Sequence, residues 1–191
     1  MKTLKQYIKE TLRIINRVNK TSGYNYFPQT KDELKKIIRQ RIKDEGNEVD
    51  LNDIDVSKII DMSELFLGSR KFNGDISKWD VSNVINMECM FFGCSSFNQD
   101  LSNWNVSKVI NMKSMFAFCR SFNQGLSDWN VSRVIDMSAM FCNCRSFNQD
   151  LSNWDMSNVR CIRFMFDKCP IKDEYKPVIP ESYYCEKIYR I

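Results

Sequence analysis

Four tryptophans, Trp79, Trp104, Trp129 and Trp154, stand 25 residues apart with no insertion or deletion between them. This spacing constrains the chain more than any other feature, because residues recurring at one period without drift belong to units that stack in equivalent surroundings. The same step relates Val81, Val106, Val131 and Met156, then Phe91, Phe116, Phe141 and Phe166, then Cys94, Cys119, Cys144 and Cys169. A degenerate copy precedes them, with Leu51, Ile54, Val56, Ile59, Met62, Leu65, Phe66 and Phe72 in the apolar slots, so five coils are expected over residues 51–169. A unit this short cannot bury its apolar side alone, and the pattern predicts a solenoid.

Two periods follow one another within each copy. Leu101-x-x-Trp104-x-Val106-x-x-Val109 has the spacing of a leucine-rich-repeat strand, with Trp104 and Val106 inward and Asn105 outward. Met112, Met115, Phe116 and Cys119 then fall at i, i+3, i+4 and i+7, which is one helical face. Asp61, Asn86, Asn111 and Asp136 stand just before that run, where a side-chain oxygen can cap a helix N-terminus. The expected fold class is therefore α/β: a leucine-rich-repeat-like right-handed solenoid, with a short parallel strand plus a short helix in each 25-residue coil and an α-helical N-terminal cap. The Asn column at 73, 98, 123 and 148 is expected to hydrogen-bond turn backbone and to satisfy polar groups in a tight return.

The flanks read differently. Thr30-Lys-Asp-Glu33 is a capping box that opens a helix, Leu34, Ile37, Ile38 and Ile42 give that helix an apolar face, and Gly46 is placed to stop it. The chain divides into an amphipathic helix and linker (1–29), an N-terminal helical cap (30–50), the repeats (51–169) and a C-terminal cap (170–191) that includes Tyr183, Tyr184, Ile188 and Tyr189. In residues 1–20, Leu4, Tyr7, Ile8, Leu12, Ile15 and Val18 form one stripe, opposite Lys2, Lys5, Lys9, Arg13, Arg17 and Lys20. Such a helix either packs its apolar stripe on a neighbouring helix or lies on an anionic membrane or in a partner's acidic groove. Packing is preferred, since the stripe carries one aromatic residue and no Trp, and membrane contact through residues 1–20 is not favoured.

Charge and composition exclude several classes. The formal charge is +4, the excess of Lys and Arg lies in residues 1–50, and the repeats are nearly balanced. A long nucleic-acid groove draws its affinity from many cations along one surface, so no nucleic acid is expected as partner. His is absent, which removes the commonest general base and metal ligand. No buried carboxylate pair or zinc knuckle stands out, so no enzyme activity, metal or cofactor is expected. The N-terminal residues do not read as a secretory signal, and a cytoplasmic or virion location with the eight cysteines reduced is expected.

The unit D-L-S-x-W-x-V-S-x-V-x-x-M-x-x-M-F-x-x-C-x-x-F-N-Q, as it stands at residues 100–124, resembles the bacterial BspA-like leucine-rich-repeat surface proteins. The likeness runs over residues 50–169, and residues 30–66 are similar to that family's N-terminal flank. It implies a binding scaffold for adhesion or protein recognition, no catalytic residues, and a cell-surface location as the alternative. The outward columns of the strand face are the candidate binding residues: Lys78, Asn103, Asp128 and Asn153, then Asp80, Asn105, Asn130 and Asp155, with Lys108 and Arg133 beside them. The expected function is that of a monomeric, non-catalytic scaffold holding a protein partner on this face. Two other readings stay open: a merely solvated face, and a virion or envelope assembly component tethered by the N-terminal helix.

Overall fold

The apolar residues of each copy fall in pairs three residues apart: Leu-x-x-Trp, Val-x-x-Val, Met-x-x-Met, Phe-x-x-Cys and Cys-x-x-Phe. Three residues is also the span of a β-turn, whose i to i+3 hydrogen bond draws both ends to the same side. In the computed structural model, which describes residues 23–179, every such pair is closed in this way. In the copy at 101–125 the backbone N–H of Trp104 donates to Leu101 O at 3.0 Å, Val109 to Val106 at 2.9 Å, Met115 to Met112 at 3.2 Å, Cys119 to Phe116 at 3.0 Å and Phe122 to Cys119 at 3.3 Å. The helix expected over 1–20 and the tyrosines expected to cap the C-terminus lie outside the described residues.

The α/β leucine-rich-repeat-like right-handed solenoid is thus corrected: the repeats contain neither the expected strand nor the expected helix. Among the described residues there is one α-helix, α1 (Lys31–Glu45), and one 3-10 turn (Asp173–Tyr175), while parallel pairing is confined to isolated bridges such as Asp61–Asn86–Asn111–Asp136–Cys161. The inward set is as expected, for Trp104, Val106, Met112, Met115, Phe116 and Cys119 are all buried and Asn105 is exposed. The backbone reaches that result by another path. Ser114 and Phe118 take φ of 54° and 62°, in the left-handed region, and their counterparts in the other copies do the same. A left-handed residue every fourth position cannot continue a right-handed helix.

With no helix to absorb them, the N–H groups of this segment alternate between two destinations. Met90, Phe92 and Cys94 close turns within the copy, while Met87, Cys89, Phe91 and Gly93 donate to Asn111, Lys113, Met115 and Ala117 of the next copy, at 2.8–2.9 Å. The same four donors recur in the copies on either side, so each copy is bonded in register to its neighbours. Along residues 87–94 every backbone N–H is thereby paired, that of Glu88 with Asn86 Oδ1, as buried polar backbone requires.

Register of the backbone stacks the side chains. Phe66, Phe91, Phe116, Phe141 and Phe166 lie face over face with ring centroids 5.4, 5.5, 5.7 and 5.8 Å apart. Phe72, Phe97, Phe122 and Phe147 form a second ladder at 5.8–6.0 Å. Each tryptophan reaches back to the preceding copy: the indole Nε1–H of Trp104 donates to Ile76 O at 3.1 Å, and that of Trp129 to Leu101 O at 3.0 Å. The thiols do likewise, Cys119 Sγ lying 2.9 Å from Phe91 O and Cys144 Sγ 2.7 Å from Phe116 O.

At the N-terminal side α1 packs on the first copy, with Leu34 and Ile38 in the same buried cluster as Leu51 and Ile54. Thr30 Oγ1 accepts from the Glu33 N–H at 3.2 Å, and the Glu33 carboxylate accepts from the Gln29 N–H, one residue earlier than a capping box has it. Gly46, at φ 95°, ends α1 by donating to Ile42 O. Arg41 ties α1 to the repeats through Asp53 at 2.7 Å and Asp50 O at 2.9 Å, and Lys31 does so through Asp61 at 2.8 Å.

Candidate functional site

Which side chains a copy exposes follows from how its turns begin. An Asp or Asn whose Oδ1 accepts from the N–H two residues on starts a turn locally. Three such turns open in a copy: Asp75 to Ser77, Asp80 to Ser82 and Asn86 to Glu88, at 2.9, 3.1 and 3.1 Å. Asp61, Asn86, Asn111 and Asp136 therefore cap turns, and the expectation that they cap helices is corrected. The Asn column joins successive copies instead: Asn73 Oδ1 accepts from Asn98 N–H, Asn98 from Asn123 and Asn123 from Asn148, each at 2.9 Å.

All ten residues named from the sequence are exposed, on the corners of turns or just before them, and not on a strand face. Asp80, Asn105, Asn130 and Asp155 spend their side-chain oxygens on the Ser two residues later; Asn105 Oδ1 takes both the N–H and the hydroxyl of Ser107, at 3.2 and 2.7 Å. The Ser157 hydroxyl and N–H hold the Asp155 carboxyl below its ordinary value. This column is occupied with its own turns. Lys78, Asn103, Asp128 and Asn153 occupy the second corner of the Leu-x-x-Trp turn, and among the described residues no hydrogen bond links one to the next.

Lys108 and Arg133 are placed more informatively. Lys108 Nζ donates to Asn83 Oδ1 of the copy before it at 2.7 Å, and Arg133 borders a shallow recess with Ile110, Ile135, Asn158 and Arg160. Two positions past Lys58, Asn83, Lys108 and Arg133 stand Ile60, Ile85, Ile110 and Ile135, exposed by 57%, 43%, 37% and 42%. Backbone bonds hold the column together, from Ile85 N–H to Ile60 O at 2.8 Å, Ile110 to Ile85 at 2.9 Å and Ile135 to Ile110 at 2.8 Å. The sequence reading missed this ribbon, although its signal was present: Val109 and Ile110 are adjacent at the end of one turn, and two neighbours there cannot both face the core.

The buried thiols offer no comparable reactivity. Burial pushes the Cys94 thiol up to about 12 and raises Cys119 and Cys144 as well. A thiol in that state is a poor nucleophile, since the thiolate is the reactive form.

What folds here is a tandem-repeat protein whose surface is laid out in columns by a fixed turn scheme. The chain belongs to the family described as Mycoplasma protein of unknown function, DUF285, whose sequence model matches residues 33–133 and 104–174. No curated protein and no solved structure matches it.

Proposed function

We propose that the chain is a non-catalytic protein-binding scaffold of the BspA-like kind, and that its partner docks on the isoleucine column. One observation carries this reading: Ile60, Ile85, Ile110 and Ile135 form an exposed apolar ribbon, backbone-bonded from copy to copy, with Arg133 and Arg160 lining a recess beside Ile110 and Ile135. An apolar centre with a charged rim is the composition of a protein interface, and successive copies extend it without new design. Asp80, Asn105, Asn130 and Asp155 serve the scaffold by starting its turns, so affinity comes from the ribbon. Photocrosslinking from position 110 in the native host tests this. The expected result is one dominant adduct, lost in an Ile85→Asp, Ile135→Asp variant whose circular dichroism is unchanged. A diffuse set of adducts, or one insensitive to those changes, refutes it. Light scattering on the same samples addresses the assembly reading: a homo-oligomer that disappears on deletion of residues 1–22 would replace the scaffold with an assembly component.

A further inference from the structure

A second surface stands on a different column. Gly68, Gly93, Phe118, Asn143 and Lys168 occupy equivalent positions in successive copies, with φ of 71°, 75°, 62°, 58° and 54°. Because Phe, Asn and Lys hold this backbone in three copies, left-handedness alone does not account for glycine in the other two. What glycine removes is a side chain. A Cβ at Gly68 would meet nothing within 4 Å, and one at Gly93 would meet only the Gly68 backbone, at 3.6 and 3.9 Å. The space so left is a groove of roughly 580 Å³, within the size range of ligand sites.

Its walls are chemically one-sided. Phe92 and Phe118 face it with ring centroids 5.3 Å apart and planes at 53°. Arg70, Lys71 and Arg120 supply its charge, and its remaining polar side chains are the hydroxyls of Ser95 and Ser96. No carboxylate or side-chain amide lines it. Lys31 and Lys113 elsewhere find Asp61 and Glu88, whereas among the described residues Arg70, Lys71 and Arg120 make no ion pair.

We propose that this groove binds a short acidic peptide segment that rests an apolar side chain against the Phe92–Phe118 pair. The lining is rich in donors, which suits carboxylates, groups that only accept. Sugar hydroxyls and base amino groups need acceptors that the side chains here do not provide beyond two serines. A nucleic acid also requires a long cationic track, and the repeats are nearly neutral over their length. The aromatic pair supplies the anchor that charge alone lacks.

The experiment is fluorescence anisotropy on the full chain, with a fluorescein-labelled peptide carrying one Phe between runs of Asp and Glu. Saturable binding that weakens with salt is expected. Gly93→Asn, which places at 93 the residue that position 143 already accommodates, should weaken it by about tenfold or more, as should Arg120→Ala. Arg145→Ala, next in the Arg120 column and outside the groove, should leave it unchanged, and so should Ile110→Asp, which separates this site from the isoleucine ribbon. Should Gly93→Asn lower the melting temperature, Phe118→Asn removes the aromatic wall at a position whose counterpart is Asn, with the same loss expected. The proposal is overturned by absence of binding at about 1 mM protein, by wild-type affinity in the folded groove variants, or by an oligouridylate binding more tightly than the peptide.

Discussion

Trp104→Ala isolates what a single residue of the column contributes. The side chain is 3% exposed, its ring lies 6.5 Å from Trp129 and 6.3 Å from Phe91, and its Nε1–H satisfies Ile76 O of the preceding copy. Truncating a buried aromatic costs about 3–5 kcal/mol through lost transfer and the cavity left behind. Leaving Ile76 O without its donor adds about 1 kcal/mol, so a loss of about 4–6 kcal/mol is expected. Trp104→Phe keeps most of the stacking and drops the indole donor, and should cost about 1–3 kcal/mol. Asn105→Ala, one residue on, removes an exposed acceptor of the Ser107 N–H that water can replace, for about 0.5–1 kcal/mol. Urea unfolding followed by far-ultraviolet circular dichroism measures all three. The turn scheme assigns one neighbour to the core and the other to solvent; equal losses from Trp104→Ala and Asn105→Ala would refute it.

Two further outcomes follow from the thiol column and from the contact of α1 with the repeats. Alkylation of the native chain at pH 8 should leave Cys94, Cys119 and Cys144 unlabelled, their thiols being buried and raised far above that pH, while denaturant exposes them; labelling of the native column would contradict the packing. Burial raises the Asp61 carboxyl, but the Lys31 and Ser63 hydrogen bonds outweigh it and hold its pKa below the usual 3.8. A depressed carboxyl stabilises the fold above its unfolded value and loses that contribution as pH falls through the folded one. Asp61→Asn keeps an oxygen that Asn86 and Asn111 use in the same turn, so it should lower stability by under about 1 kcal/mol at pH 7 and by nothing near pH 2; an undiminished difference at pH 2 would assign the effect to the turn and not to the ion pair.

Much of this molecule could be read from its letters, and each failure has a physical cause. The repeat period, the inward set and the start of α1 at Thr30 depend on side-chain chemistry that is local or periodic, and these came through. The spacing of Met112, Met115, Phe116 and Cys119 is common to a helical face and to overlapping turns three residues long. Only the backbone at Ser114 and Phe118 distinguishes them, and Ser, Phe, Ala, Cys and Glu at such positions announce nothing. Gly68 and Gly93 were the one visible hint, in two copies of five. Of the candidate surface, the exposed polar corners were legible, but an Asp or Asn that starts its own turn looks the same in sequence as one free to meet a partner. The isoleucine ribbon was hidden for the opposite reason, because apolar residues are assigned to the core by default.

The alternating bonds between copies all point the same way along this segment: N–H groups toward the following copy, carbonyls toward the preceding one. Each unit therefore presents the same row of donors at its lower seam and the same row of acceptors at its upper seam, whatever its neighbours are. A whole unit can be excised or duplicated and the new seam closes with the bonds of the old one. Length, in such a chain, is a quantity that evolution can change by counting, with no seam to redesign, and Met62 to Asn86 is joined in the same manner as Met137 to Cys161.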